Sequence, residues 1–179
     1  MQTMNLPNLI TFSRLILAFV VVFAFVFGGE IGRIIACASF FIASVTDWLD
    51  GYIARKYNLI TNLGKLMDPL ADKILVAGGL VTLTSVNLVP AWATFLILFR
   101  EFGVSGLRQV ATEQNIVLAA DNLGKVKTVI QLLGIFYIML IGHCGCSPLA
   151  NQITVYLMVG ITLFSGGNYF WKNRQLFQK

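Results

Sequence analysis

Charged positions are unevenly spread along the chain. Residues 15–29, 34–46, 74–99 and 128–171 contain no Asp, Glu, Lys or Arg. A helix that crosses a bilayer needs roughly 20 mostly apolar residues. The 74–99 run is broken by Val86-Asn87-Leu88-Val89-Pro90, which reads as a turn. The 128–171 run is too long for one crossing and is divided by Cys144-Gly145-Cys146-Ser147-Pro148. The pattern predicts six helices, over about 6–27, 31–56, 64–86, 91–113, 122–143 and 148–171. No linker, internal repeat or low-complexity stretch interrupts them. The expectation is a single all-α domain over residues 1–179, an integral membrane protein with six transmembrane helices. Arg14 lies inside the first apolar run rather than ahead of it, and no small-residue cleavage site follows. The segment therefore reads as a retained span rather than a secretory signal. No Arg-rich transit segment precedes it, which favours a bacterial (inner) membrane.

Composition agrees. Of 179 residues, 57% are apolar and 12% are charged, about half the charged fraction of a soluble domain. The cations set an orientation. Arg55, Lys56 and Lys65 fall between the second and third helices, and Arg108, Lys125 and Lys127 flank the connection of the fourth and fifth. Lys172, Arg174 and Lys179 close the chain, whereas the alternate connections hold only Arg33. The positive-inside rule then places both termini and these loops in the cytoplasm. The net charge of +5 suits anionic lipid or anionic substrates, and no nucleic-acid partner is expected. His143, Cys144 and Cys146 lack a fourth ligand and are a weak zinc signal. Cys37 reads as a small apolar residue.

Four of the eight acidic residues, Asp47, Asp50, Asp68 and Asp72, crowd into 26 positions at the end of one predicted span and the start of the next. An ionised Asp at mid-membrane costs about 2.5–3.5 kcal/mol even on the lenient insertion scale. Asp47, Asp50, Gly51 and Ala54 share one helical face by spacing, as do Gly64, Asp68 and Asp72. The short connection makes the two helices antiparallel neighbours, so two carboxylates can face two others. Such an oxygen-rich set suits hard cations, Mg²⁺ or Mn²⁺. Up to four negative charges call for two ions, an arrangement that suits displacement at a diphosphate. Gly51, Ala54 and Gly64 either leave room for a ligand or pack helices closely. Arg55 either pairs with an anion or anchors the cytoplasmic end.

The pattern Asp47-x2-Asp50-Gly51-x2-Ala54-Arg55-x8-Gly64-x3-Asp68-x3-Asp72 resembles the signature of the CDP-alcohol phosphotransferases. The resemblance implies a six-helix membrane enzyme, a homodimer, that uses CDP-diacylglycerol as donor and releases CMP. It implies metal held by Asp47, Asp50, Asp68 and Asp72, with Asp72 also the general base. Gly51, Ala54, Arg55 and Gly64 would line the cytidine diphosphate pocket.

A second polar group lies further on. Glu101, Ser105 and Arg108 share a face of the fourth helix, Arg100 adjoins them, and Lys125 and Lys127 open the fifth. Arginine binds phosphate bidentately and lysine supplies a point charge, so the cluster fits a phosphorylated acceptor. Arg-Glu-x3-Ser-x2-Arg and Leu-Gly-Lys-Val-Lys-Thr resemble the family branch whose acceptor is sn-glycerol 3-phosphate. So does Pro7-Asn8-Leu9-Ile10-Thr11-x2-Arg14, whose Asn8, Thr11 and Arg14 are expected at the cytoplasmic mouth, against the donor. Other acceptors, namely inositol phosphate, serine or phosphatidylglycerol, stay open, as does a cation or proton transporter. A transport path needs polar groups on both sides of the membrane, and the uncharged 128–171 run argues for a one-sided site.

Overall fold

The computed structural model describes the backbone of residues 6–57, 62–114, 116, 122–141 and 148–174. Side chains are described within these segments except at 6–8, 10, 47–57, 62–66, 68 and 69. Among the described residues there are six helices and no strand: α1 (Leu6–Phe27), α2 (Gly29–Tyr57), α3 (Asn62–Ser85), α4 (Ala91–Glu113), α5 (Asn122–Ile141) and α6 (Pro148–Lys172).

The connections have local causes. Gly29 takes a positive φ of 58°, which glycine adopts without steric cost. The chain therefore reverses at once after α1, and α2 starts two residues earlier than its charge pattern predicts. Asn87 is also left-handed, at φ 60°. There the Leu88 amide donates to the Leu83 carbonyl and the Asn87 amide to the Thr84 carbonyl, a Schellman ending for α3. Pro90 then precedes α4 with extended backbone.

α1 lies along both α2 and α3, while α4 and α5 pack on α6. α5 also touches α2 and α3 and so joins the two halves. Among the described residues α2 and α3 touch each other little. The neighbour filling the space beside each is α1, whose Ala18, Val21 and Phe25 are buried in the main core. That core runs on through Phe40, Leu80, Ile97, Ile138 and Met158.

The surface is inverted relative to a water-soluble protein. Phe19, Phe23, Phe95, Phe99 and Phe164 face outward, while Arg14, Arg100, Lys127 and Gln131 are buried. Exposed phenylalanine around buried cations is favourable only where the surroundings are apolar. Among the described residues, Gly29–Thr46, Asn122–Ile141 and Pro148–Lys172 are long and apolar enough to cross a membrane. α4 falls short of that measure because Arg100, Glu101 and Arg108 interrupt it.

Candidate active site

Helix α3 carries the last signature aspartate inward. Asp72 and Lys73 line a cavity of about 480 Å³ together with α4, α5 and one residue of α6. α4 contributes Arg100, Glu101, Ser105 and Arg108, one face as its spacing predicts. α5 contributes Lys125, Lys127 and Gln131, and α6 contributes Tyr169. The wall thus holds five cationic side chains and two carboxylates, so it is built for an anion.

Five of these seven charged groups are held by a neighbouring side chain. Arg14 reaches from α1 and donates through Nη1 to Asp72 Oδ1 at 2.7 Å. Its side chain is 1% exposed and that of Asp72 46%, so the arginine holds the carboxylate from the protein side while Asp72 stays open to the cavity. Glu101 accepts from Arg100 Nη1 at 3.3 Å and from Lys127 Nζ. One carboxylate therefore spaces two buried cations that would otherwise repel. Arg100 Nη2 donates to Ser165 Oγ at 2.8 Å. A side chain at Gly166 would come within 2.7 Å of Arg100 Cγ, so glycine there makes room for the arginine stem. Arg108 Nε donates to the Tyr169 hydroxyl at 3.0 Å, and its guanidinium lies 5.3 Å from the centre of that ring. Ser105 turns its hydroxyl back to the Glu101 carbonyl.

The expected acceptor residues Arg100, Glu101, Ser105, Arg108, Lys125 and Lys127 therefore come together, with Asp72 beside them. Thr11 and Arg14 are buried on α1, with Arg14 set against Asp72. Asn8, Asp47, Asp50, Gly51, Ala54, Arg55, Gly64 and Asp68 stand in α1, α2 and α3, and their side chains lie outside the described residues. So does the carboxylate seam expected between α2 and α3. Cys144, Cys146 and His143 also fall outside.

Sequence reasoning missed Lys73, Gln131, Ser165, Gly166 and Tyr169. The signal for α6 was present: Thr162, Ser165, Gly166 and Tyr169 recur at i, i+3, i+4 and i+7, a polar and small stripe on an apolar helix. The stripe holds no charge, so a charge pattern does not reveal it.

A family model described as CDP-alcohol phosphatidyltransferase matches residues 4–164. The chain belongs to this family. It is 40% identical to a CDP-diacylglycerol--glycerol-3-phosphate 3-phosphatidyltransferase of Bacillus subtilis (strain 168), covering 94% of this chain and 95% of the relative. It is 36% identical to a protein of the same name from Rickettsia felis (strain ATCC VR-1525 / URRWXCal2), over 93% of each chain. A probable phosphatidylglycerophosphate synthase of Mycobacterium tuberculosis (strain ATCC 25618 / H37Rv) is 35% identical, over 88% of this chain and 78% of the relative.

Members of the family generally depend on a divalent metal. The donor chemistry fits: the signature offers four carboxylates and no thiolate or imidazole, the preference of a hard cation. The described member, Asp72, is open to the cavity. Among the described residues no three His, Cys, Asp or Glu side chains cluster. Three of the four signature aspartates lie outside that set.

Proposed function

We propose that this enzyme transfers the phosphatidyl group of CDP-diacylglycerol to sn-glycerol 3-phosphate, giving phosphatidylglycerophosphate and CMP. The observation that carries this reading is the five-cation cavity opening directly onto Asp72. Inositol phosphate would also suit such a wall. Serine and phosphatidylglycerol would make less use of it, and the relatives named above favour glycerol 3-phosphate.

In this reading Lys127, Arg108 and Arg100 draw in the acceptor phosphate, with Lys125 at the rim. The acceptor's terminal hydroxyl then lies towards Asp72. An alcohol is a poor nucleophile at neutral pH, and a carboxylate in hydrogen-bond reach takes its proton as attack proceeds. The hydroxyl oxygen bonds to the phosphorus that carries diacylglycerol. The bond from that phosphorus to the CMP oxygen breaks, and CMP leaves with the electron pair. The Arg14 ion pair keeps Asp72 from rotating away. Asn8, Thr11, Gly51, Ala54, Arg55 and Gly64 are assigned to the donor. Asp47, Asp50 and Asp68, with Asp72, would hold two Mg²⁺ or Mn²⁺ ions, which supply positive charge to the diphosphate when bound.

The same reading makes the chain one domain of six transmembrane helices in a bacterial cell (inner) membrane, both termini and the site cytoplasmic, working as a homodimer. The charge distribution supports the orientation. The opposite end holds a second cavity lined by Asn87, Trp92, Asn151, Gln152 and Tyr156 and by no charged residue. There Trp92 and Tyr156 lie 6.0 Å apart, as in an interfacial aromatic belt.

The test is transfer of label from glycerol 3-phosphate into extractable lipid by the purified protein with CDP-diacylglycerol and Mg²⁺. Label in a phosphatidylglycerophosphate band supports the assignment. Its absence, with activity towards another alcohol, overturns the acceptor.

A further inference from the structure

We infer that Gln131 reads the hydroxyl of the acceptor that does not react. The inference rests on the glycerol 3-phosphate reading and deepens it. Two buried side-chain atoms of the cavity-lining residues have no hydrogen-bond partner: Arg100 Nε, a donor, and Gln131 Oε1, an acceptor. Leaving such an atom without a partner costs about 1–3 kcal/mol, so an acceptor that supplied a donor to Gln131 Oε1 would gain by it.

The orientation of the Gln131 amide follows from its neighbours. The Thr162 hydroxyl gives its one proton to the Met158 carbonyl at 2.6 Å. Its oxygen can then only accept, and the 2.7 Å contact with Gln131 comes from Nε2. The amide oxygen is therefore left for something else. Gln131 lies one turn beyond Lys127 on α5 and is 1% exposed. Its anchor Thr162 and the anchor of Arg100, Ser165, are three residues apart on α6, and both are buried. One face of α6 thus fixes both Arg100 and Gln131 at the wall of one anion-binding cavity.

Glycerol 3-phosphate carries the complementary pair. Its phosphate oxygens accept and its hydroxyls donate. The terminal hydroxyl is spent on Asp72, which leaves the central hydroxyl for Gln131 Oε1.

The test compares glycerol 3-phosphate with 3-hydroxypropyl phosphate, which keeps the phosphate and terminal hydroxyl and lacks the central one. CMP release is measured at saturating CDP-diacylglycerol, with thermal unfolding of each variant in detergent. The wild-type protein should prefer glycerol 3-phosphate in kcat/KM by about ten- to hundredfold. Gln131→Met should bring that ratio close to one, with the analogue changed by less than about threefold and the donor KM unmoved. Thr162→Val, which frees the amide to turn, should reduce the ratio part of the way. A wild-type ratio near one overturns the inference. So does a ratio that survives Gln131→Met, or an equal fall for both acceptors, which would make Gln131 structural or a holder of water. Should Gln131→Met not fold, the wild-type ratio and Thr162→Val decide. Wild-type protein that ignores glycerol 3-phosphate but uses another alcohol refutes the parent reading first, before any variant is compared.

Discussion

Gly166→Ala puts the role of α6 to the sharpest trial. The added carbon would stand 2.7 Å from Arg100 Cγ and 3.4 Å from Nε. Carbon atoms rest at about 3.5–4.0 Å, so the overlap is close to 1 Å. The stem of Arg100 cannot yield freely, because its head is tied to Ser165 and Glu101. Overpacking of this kind costs about 1–3 kcal/mol, and the better helix propensity of alanine offsets up to about 1 kcal/mol. With the full offset the net loss of stability is therefore small, about 0–2 kcal/mol. The loss of function should be larger, since a displaced guanidinium gives up a charge-assisted hydrogen bond worth about 1.5–3 kcal/mol. The acceptor kcat/KM should fall at least about tenfold while the donor KM holds. Gly134→Ala is the control. Its Cβ would meet Met158 Sδ at 2.6 Å, an equally tight contact on α6 made from α5 by residues that do not line the cavity. It should lower Tm without touching the acceptor KM. Equal acceptor KM in Gly166→Ala and wild type, with only Tm lowered, would refute the reasoning.

Further outcomes follow from the same geometry. Asp72→Asn should abolish turnover yet retain CDP-diacylglycerol binding by calorimetry. Arg14→Gln alone should lower kcat with the donor KM unchanged, whereas weaker donor binding would assign that guanidinium to the donor. Arg108→Ala should raise the acceptor KM about tenfold or more. Tyr169→Phe, which keeps the ring beneath Arg108 and loses the hydroxyl, should raise it only about two- to fivefold; equal effects would show that the ring contributes nothing. Chelation should stop CMP release and added Mg²⁺ restore it. Asp47→Asn, Asp50→Asn and Asp68→Asn should each need far more Mg²⁺ for any residual rate, and a normal Mg²⁺ dependence would remove that residue from the metal site.

The six helices were legible because charge-free runs and turn signals such as Val86–Pro90 punctuate the chain close to the points where the backbone turns. The acceptor cluster on α4 was legible because i, i+4 and i+7 fix a face whatever the tertiary fold. What each charge touches was not. Arg14 and Asp72 are 58 positions apart in sequence, and only the packing of α1 against α3 brings them into contact. That α1 lies along both α2 and α3 was not legible either, because a short connection shows which helices follow one another and not which helix fills the space beside them. α6 was hidden for a chemical reason: it serves the site through hydroxyls and a missing side chain, and neither alters a charge pattern.

The most direct trial of the central claim is CMP release by the purified protein with CDP-diacylglycerol and Mg²⁺, offering one acceptor at a time. Release with glycerol 3-phosphate, absent with serine and lost on chelation, is the expected result. Release with serine or inositol phosphate and none with glycerol 3-phosphate would contradict the reading of the five-cation cavity.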